Sequence, residues 1–305
     1  MRVAAFSKYG PPEVLHVMEF DDPQAGPGQV RVRVKAAGVQ PFDCAVRSSG
    51  WTPPGLTINF PQILGNEFSG IIDQVGEGVT NFMSDDEVLG WALMACYAEY
   101  VVVSVDQIVQ KPKEMPWEHA SVITASGQTA HTALQELGVD KGDTVLIHAA
   151  AGGVGTFAVQ LAQAWGAAKV IGTASEANHD YLRSLGAIPV TYGEGLVNRV
   201  RSLTPEGVDV AFDAAGAEAL KASVQLVKNK DRIGTIVAFD LVDELGVLPI
   251  RSQRSIERLS ELVTLYNKGM INIHVRNIFH LEEVVKAHSE VEVGHGCGKV
   301  VLTIN

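Results

Sequence analysis

The 305-residue sequence has few cysteines, a shortage of basic residues and no long apolar run. Its three cysteines, Cys44, Cys96 and Cys297, are odd in number and far apart. They therefore make neither a disulfide framework nor a four-thiolate zinc site. The nine histidines include no His-x-x-x-His pair, and no Cys-x-x-Cys pair occurs. This usage is typical of a protein in a reducing compartment.

Lysine and arginine total 24 against 35 aspartates and glutamates, which gives a net charge of −11. Neutralising nucleic-acid phosphates or anionic lipids needs a surplus of basic side chains, so neither partner is expected. No window holds the ~18 apolar residues that a membrane-spanning helix needs. The N-terminal stretch meets Gly10-Pro11-Pro12 too early for a signal peptide. The sequence therefore predicts a cytoplasmic protein without nucleic-acid or membrane partners.

The hydrophobic pattern changes along the chain. Runs such as VRVRVKAAGV (30–39) and FSGIIDQVGEGV (68–79) have the alternation of short strands. From Asp143, apolar strands and helices alternate between TVLIHA and RIGTIVAF, which is typical of a doubly wound parallel sheet. The tail, with the strand GKVVLTI, returns to the first domain. We predict an α/β protein in which a Rossmann domain (117–249) is inserted into a β-rich domain (1–116 plus 250–305).

The turn AAAGGVG, residues 149–155, follows the strand TVLIH and opens a helix. In a dinucleotide-binding turn, the position of Ala149 makes the tight bend and Gly152 lets the backbone approach a pyrophosphate. Gly155 lets the helix pack against the strand, and the helix N-terminus attracts phosphate. The flanking strands make an ordinary tight turn the weaker interpretation. We predict that Ala149, Gly152, Gly153, Val154 and Gly155 bind a nicotinamide cofactor.

The next strand, KVIGTA, indicates which cofactor is used. An NAD-specific site places Asp or Glu at the end of this strand to hold the ribose hydroxyls. Here the strand ends in Ala174 and is followed by Ser175, which leaves room for a 2′-phosphate. Ser175, Asn178 and Tyr192 are predicted to reach that phosphate, whereas Glu176 would repel it if it pointed inward. The pattern favours NADP(H) over NAD.

Several motifs occur together in order: ILGNEFSGIIDQVGEGV, HAAAGGVG, GTASEANHDYLRSLGA and GHGCGKVVL. Together they resemble the medium-chain dehydrogenase/reductase superfamily, most closely its zinc-independent quinone oxidoreductase branch. The resemblance implies a GroES-like substrate domain built from both ends of the chain, with a Rossmann domain between them. Zinc-bearing relatives have His at the position of Asn66 and Cys at that of Gln40, so no metal site is expected here.

The resemblance also implies an activity. It predicts NADPH-dependent hydride transfer to a quinone or to a C=C bond conjugated to a carbonyl, a small electrophilic acceptor. Gln40 and Thr129 match positions near the nicotinamide, where they would orient cofactor or substrate. Ala238 and Phe239 fall where the carboxamide is held. Relatives are commonly homodimers that extend the Rossmann sheet, and the candidate edge is INIHVRNIF or the strand before it.

Other interpretations stay open at this point. Gln40 could cap the turn before Pro41, and Asp43 could brace the following segment. Thr129 could bond its own helix backbone. His148, beside an apolar strand, is more typical of a packed histidine than of a base. The alternative functions are a zinc-dependent alcohol dehydrogenase with unusual ligands and a non-catalytic nucleotide-binding protein.

Overall fold

The computed structural model describes residues 1–52, 55–294 and 296–304. His295, in the motif GHGCGKVVL, and Pro53, Pro54 and Asn305, in the predicted β-rich domain, lie outside the described residues. The chain divides into two compact units. Unit 1 comprises Met1–Ala125, Ser255–Ser260 and Ile273–Asn305, and unit 2 comprises Ser126–Arg254 and Glu261–Asn272. The division falls after Ala125 and Arg254, whereas the predicted boundaries follow residues 116 and 249.

The N-terminal part of the chain is rich in strands. Its strands are β1 (Arg2–Phe6), β2 (Leu15–Glu19), β3 (Gln29–Val39), β4 (Gln62–Ile63), β5 (Phe68–Val75), β6 (Glu87–Gly90), β7 (Tyr100–Ser104) and β8 (Ile108–Gln110). Its helices are α1 (Pro41–Ser49) and α2 (Trp117–Ala120).

Strands and helices alternate in the middle of the chain. They are α3 (Thr124–Glu136), β9 (Thr144–Ile147), α4 (Gly153–Ala164), β10 (Lys169–Ala174), α5 (His179–Ser184), β11 (Ile188–Thr191), α6 (Leu196–Leu203), β12 (Val210–Asp213), α7 (Ala217–Leu226), β13 (Ile233–Thr235), α8 (Val242–Leu245) and β14 (Leu248–Pro249). The tail contains α9 (Ile256–Asn267), β15 (Val275–His280), α10 (Val284–Val293) and β16 (Lys299–Thr303).

Unit 1 contains two sheets. A small sheet has the order β2-β1-β4, and a larger one has the order β15-β16-β3-β5-β6-β8, with β7 also pairing with β3. The alternation predicted for residues 30–39 is present in β3, where Val30, Val32 and Val34 are buried in the core. Because β16 pairs with β3, the C-terminal end of the chain joins the N-terminal strands, as the tail pattern predicted.

The sequence offered two candidate edges for the parallel sheet, INIHVRNIF or the strand before it, and the first of these is wrong. Its residues Val275–His280 form β15, which runs parallel to β16 at the edge of the larger sheet of unit 1. The edges of the parallel sheet of unit 2 are β11 and β14. The error has a physical cause, because a local alternating pattern specifies a strand but not its non-local partner.

The sheet of unit 2 has the order β11-β10-β9-β12-β13-β14, and all five pairings are parallel. This confirms the predicted doubly wound sheet. In β9, Val145, Leu146 and Ile147 are completely buried, as expected of a strand covered on both faces. The strand order reverses between β9 and β12, and ligands of such sheets bind outside the carboxyl ends at this point. Among the described residues, every helix is too short or too polar to span a membrane.

Candidate functional site

The turn that links β9 to α4 lies at the reversal point of the parallel sheet. Gly152 is the N-cap residue of α4, and no side chain within the described residues caps it. The hydrogen-bond ladder of the helix begins with the Thr156 N–H, which donates to Gly152 O at 2.9 Å. The N–H groups of Gly153, Val154 and Gly155 therefore precede the ladder and point out of the helix end. Such an uncapped end can bind a phosphate through its N–H groups and its positive dipole end.

The glycines of this turn meet different constraints. A Cβ on Gly155 would lie 2.3 Å from Ala149 O and 2.6 Å from Ala150 Cα, so the close approach of helix and turn requires glycine there. A Cβ on Gly152 would find its nearest neighbour, Ala149 O, at 3.2 Å. The fold itself thus requires Gly155 much more strictly than Gly152. Ala149 has a φ of 52°, in the left-handed region where glycine is the usual residue.

Two buried polar side chains, Thr173 and His148, hold the start of the turn by hydrogen bonds. The Ala149 N–H donates to Thr173 Oγ1 at 3.2 Å, and the same hydroxyl lies 3.3 Å from Nδ1 of His148. Nε2 of His148 lies 2.9 Å from Ser223 Oγ. Burial lowers the pKa of His148 to about 4, so the ring is neutral at pH 7. His148 is therefore a packed, hydrogen-bonded residue, as the sequence indicated.

Ser175, Asn178 and Tyr192 lie at the carboxyl edge of two neighbouring strands. Ala174 of β10 pairs with Thr191 of β11, so the residues that follow each strand leave the sheet side by side. Asn178 Nδ2 donates to Ser175 Oγ at 3.3 Å, and the Asn178 N–H donates to Ser175 O at 2.9 Å. The Tyr192 side chain is 55% exposed. The residue directly after β10 is thus a serine rather than a carboxylate, and the next residue, Glu176, is exposed.

The loop that carries Ala238 is held by two residues that the sequence reading missed. Asp213, buried at the end of β12, accepts hydrogen bonds from the Ala215 and Gly216 N–H groups and from Thr235 Oγ1 at 2.7 Å. Burial raises the pKa of Asp213. Thr235 Oγ1 in turn accepts from the Ala238 N–H at 2.9 Å. A carboxylate that ends a buried strand and a hydroxyl inside an apolar strand are the signals that point to such a brace.

Phe239 lies directly after this loop, in a short 3-10 turn. The guanidinium carbon of Arg251 lies 4.9 Å from the centre of the Phe239 ring, which is a cation–π distance. Ala238 is buried, and Phe239 is half-buried. The strand RIGTIVAF was predicted to end at these two residues, but β13 already ends at Thr235, and Ala238 and Phe239 lie in the loop and 3-10 turn that follow it.

Unit 1 contains a separate buried polar cluster around Glu67. Glu67 is fully buried, and Gln40 Nε2 donates to its Oε1. Lys299 Nζ also donates to Oε1, at 3.2 Å, and the Ala125 N–H donates to Oε2 at 2.6 Å. A buried carboxylate is costly unless a cation and hydrogen-bond donors surround it, and this one has both.

Asp43 forms the second centre of the cluster. It accepts hydrogen bonds from the Gln40 N–H at 2.9 Å, from Asn66 Nδ2 at 2.7 Å, from Tyr97 Oη at 2.9 Å and from the Gly65 N–H at 3.3 Å. The capping interpretation is confirmed for Asp43, which caps and braces the start of α1. Burial raises the pKa of Asp43 to about 7, against the opposing effect of these donors.

The cluster includes both positions, those of Gln40 and Asn66, at which the family resemblance places ligands in zinc-bearing relatives. Gln40 and Asn66 present amides, and both are engaged with carboxylates of the cluster. The Lys299 ammonium lies where a second cation would be repelled. Cys44 Sγ lies 3.5 Å from Nδ1 of His288, and burial raises the pKa of its thiol to about 12. Among the described residues, no three His, Cys, Asp or Glu side chains form a group that could hold a metal.

The two predicted orienting residues belong to different units. Gln40 is buried in unit 1, within the network just described. Thr129 is half-buried in α3 of unit 2.

The parallel sheet, its strand order and the uncapped glycine turn define a dinucleotide-binding α/β fold. Residues 26–113 match the family described as alcohol dehydrogenase GroES-like domain, and residues 153–261 match the family described as zinc-binding dehydrogenase. The chain is 31% identical over 325 residues to a quinone oxidoreductase of Pseudomonas aeruginosa, with 97% of this chain and 98% of that protein covered. The chain belongs to the quinone oxidoreductase branch of the medium-chain dehydrogenase/reductase superfamily and is an oxidoreductase of that family.

Solved structures agree with this assignment. The quinone oxidoreductase from Coxiella burnetii matches with a TM-score of 0.91 and 34% identity, over 100% of this chain and 99% of that one. An NAD-dependent alcohol dehydrogenase matches with a TM-score of 0.89 and 30% identity, over 100% of both chains. The Escherichia coli quinone oxidoreductase complexed with NADPH matches with a TM-score of 0.89 and 26% identity, over 99% of this chain and 100% of that one.

Proposed function

We propose that this protein is a zinc-independent, NADPH-dependent oxidoreductase that reduces quinones or α,β-unsaturated carbonyl compounds. The observation that carries the choice of cofactor is the polar group after β10 and β11. Ser175 stands where an NAD-specific site has a carboxylate, and Asn178 donates to it at 3.3 Å. The Escherichia coli relative complexed with NADPH supports the same choice.

Different residues of unit 2 would bind different parts of the cofactor. The N–H groups of Gly153, Val154 and Gly155 would hold the pyrophosphate, and the absence of a side chain at Gly152 would admit it. Ser175, Asn178 and Tyr192 would hold the 2′-phosphate, and Ala238 and Phe239 the carboxamide. When bound, NADPH supplies the hydride.

The remaining role of the protein is to orient the reactants and stabilise the charge that develops on the acceptor oxygen. Gln40 and Thr129 are proposed for the orienting role. The donor set around Glu67 and Asp43 supports chemistry without zinc, because zinc sites use imidazole and thiolate ligands and these positions offer amides. An internal ammonium, that of Lys299, already compensates the Glu67 carboxylate.

The test is the rate of NADPH and NADH oxidation with a panel of small quinones and enones. We expect turnover with at least one of the two acceptor classes and a clear preference for NADPH. Folded protein that binds NADPH but turns over neither class would contradict the proposed activity and favour a non-catalytic nucleotide-binding role. Stoichiometric zinc in protein purified without chelator would contradict zinc independence and favour the alcohol dehydrogenase alternative.

A matched pair of variants sharpens the choice of cofactor. Ser175→Asp places a carboxylate after β10, and it should abolish the preference for NADPH by repelling the 2′-phosphate. Ser184→Asp adds the same charge at an exposed position on α5 and should leave the preference unchanged. An unchanged preference in the Ser175 variant would contradict the proposed 2′-phosphate site. The homodimer also stays a proposal, and a monomeric mass in solution would contradict it.

A further inference from the structure

The loop between β11 and α6 carries Tyr192 and has an unusual backbone. Gly193 and Gly195 both have positive φ values, of 88° and 77°. The loop starts beside Ser175, because Thr191 pairs with Ala174 in the sheet. A loop with two left-handed glycines and an exposed tyrosine needs contacts that select one conformation.

One side chain supplies these contacts. The guanidinium of Arg199, on α6, donates to four consecutive main-chain carbonyl groups. Nε donates to Thr191 O at 3.0 Å, Nη1 to Glu194 O at 2.7 Å, and Nη2 to Tyr192 O at 3.2 Å and to Gly193 O at 3.4 Å. The planar, rigid fork of arginine makes this arrangement possible, whereas a lysine ammonium is a point donor.

The sequence of the loop leaves room for this guanidinium. A Cβ on Gly195 would lie 3.1 Å from Arg199 Nη1, so a side chain there would crowd it. The Arg199 N–H also donates to Gly195 O at 3.1 Å, as part of the first turn of α6. Gly195 thus leaves space for the Arg199 guanidinium and also accepts a hydrogen bond from the Arg199 main chain.

The charge of Arg199 is not cancelled by a carboxylate. In the described parts of the chain, no Asp or Glu forms an ion pair with it, whereas the nearby Arg183 pairs with Asp180 at 2.6 Å. Carbonyl dipoles solvate the guanidinium but leave its net charge in place. Because the protein as a whole carries a net charge of −11, a half-buried cation at this edge of the sheet marks a local preference for an anion.

We propose that Arg199 is the positioning residue of the 2′-phosphate site. It fixes the backbone of residues 191–194, which places Tyr192 beside Ser175, and its charge favours a phosphate there. The inference rests on the proposed use of NADPH. Arg199 lies outside the sequence motifs that predict cofactor binding, and it acts on the phosphate site by positioning Tyr192.

The experiment compares the dissociation constants of NADPH and NADH for the wild type and for Arg199→Met, Arg199→Lys and Arg201→Met. Arg201 is the matched control, because it lies on the same helix, is exposed and donates to Gln225 O on another part of the unit. We expect Arg199→Met to weaken NADPH binding by about tenfold or more and NADH binding by less than about twofold, as for loss of a charge-assisted contact. Arg201→Met should change neither.

Two further measurements separate positioning from bulk charge and from folding. Arg199→Lys keeps the charge but cannot donate to all four carbonyls, so it should still weaken NADPH binding clearly, though less than Arg199→Met. In a Tyr192→Phe background, the effect of Arg199→Met on NADPH binding should shrink, because the two residues act together. NADH binding reports whether each variant has kept its folded nucleotide site.

The possible results are distinct. If Arg199→Lys binds NADPH like the wild type, or if NADPH and NADH weaken equally in Arg199→Met, the positioning role is overturned while the proposed function stands. If the wild type does not distinguish NADPH from NADH, the proposed cofactor choice and the role of Arg199 fail together.

Discussion

The glycine turn before α4 offers a test that separates the demands of the fold from those of the ligand. We consider Gly155→Ala and Gly152→Ala, which add the same methyl group three residues apart. At Gly155 the new Cβ would lie 2.3 Å from Ala149 O and 2.6 Å from Ala150 Cα, far inside the separation of about 3.5–4.0 Å at which carbon atoms attract. Both neighbours are main-chain atoms, which cannot rotate away.

The magnitude follows from two opposing effects. Overpacking of this kind costs about 1–3 kcal/mol, and main-chain contacts place Gly155→Ala at the upper end. The higher helix propensity of alanine offsets about 1 kcal/mol. We therefore expect the free energy of unfolding to fall by about 2 kcal/mol, which lowers the melting temperature by about 4–8 °C.

Gly152→Ala has the opposite profile. Its Cβ would lie 3.2 Å from Ala149 O, and the φ of Gly152 is −73°, so the backbone accommodates alanine. The loss of a glycine N-cap should cost less than about 1 kcal/mol. The methyl group would instead stand where the pyrophosphate is proposed to approach, so NADPH binding should weaken by about tenfold or more.

The assays are thermal or urea unfolding without cofactor and NADPH titration of each folded variant. If Gly155→Ala is as stable as the wild type, the close approach of turn and helix has been misjudged. If Gly152→Ala binds NADPH normally, the phosphate has been placed at the wrong turn.

Three further predictions concern the residues around this turn. Ala149→Gly should raise the free energy of unfolding by up to about 1 kcal/mol, because it relieves an alanine held in the left-handed region. The freer unfolded chain of glycine offsets part of that gain. A urea midpoint below that of the wild type would contradict this prediction. Burial lowers the pKa of His148 from 6.5 to about 4, so the unfolded state binds more protons between these values and stability falls as the pH drops through this window. The loss attributable to this residue between pH 7 and 5 should be about 2 kcal/mol, and His148→Asn should remove it from the stability–pH profile; an unchanged slope would show that His148 does not titrate as described. Thr235→Val should lower the free energy of unfolding by about 1–3 kcal/mol by leaving Asp213 and the Ala238 N–H short of partners, while Thr235→Ser keeps the hydroxyl and serves as control in the same urea titration; equal stabilities would argue against the brace.

The sequence predicted the parallel sheet well because its signals are local. Each strand of unit 2 is a short apolar run, and β10 coincides with the predicted KVIGTA. The turn before α4 was also predictable, because its steric constraints are local: Gly155 is required by contacts with Ala149 and Ala150. Long-range pairing is different in kind. INIHVRNIF, one of two candidate edges named for the parallel sheet, forms β15 in the other sheet, because its pairing with β16 is specified by contacts and not by local pattern.

The candidate site shows the same division. Ala149, Ser175 and Asn178 could be proposed from the sequence because the fingerprint fixes their spacing from the strands. Thr173, Asp213 and Arg199 were missed because each acts on the backbone of another segment, and nothing in their own neighbourhood distinguishes them from ordinary polar residues. Such supporting residues become visible only when the acceptors of their hydrogen bonds are known.

The cluster around Glu67 carries this point one step further. The sequence shows that Gln40 and Asn66 replace the residue types that serve as zinc ligands in zinc-bearing relatives. It does not show how the charge of the fully buried Glu67 is compensated. The structure supplies the missing charge from Lys299, 232 residues away along the chain, at 3.2 Å from the carboxylate. A buried carboxylate is tolerated only where a cation and hydrogen-bond donors surround it, and for Glu67 these come from Lys299, Gln40 and the Ala125 N–H, three distant parts of the sequence.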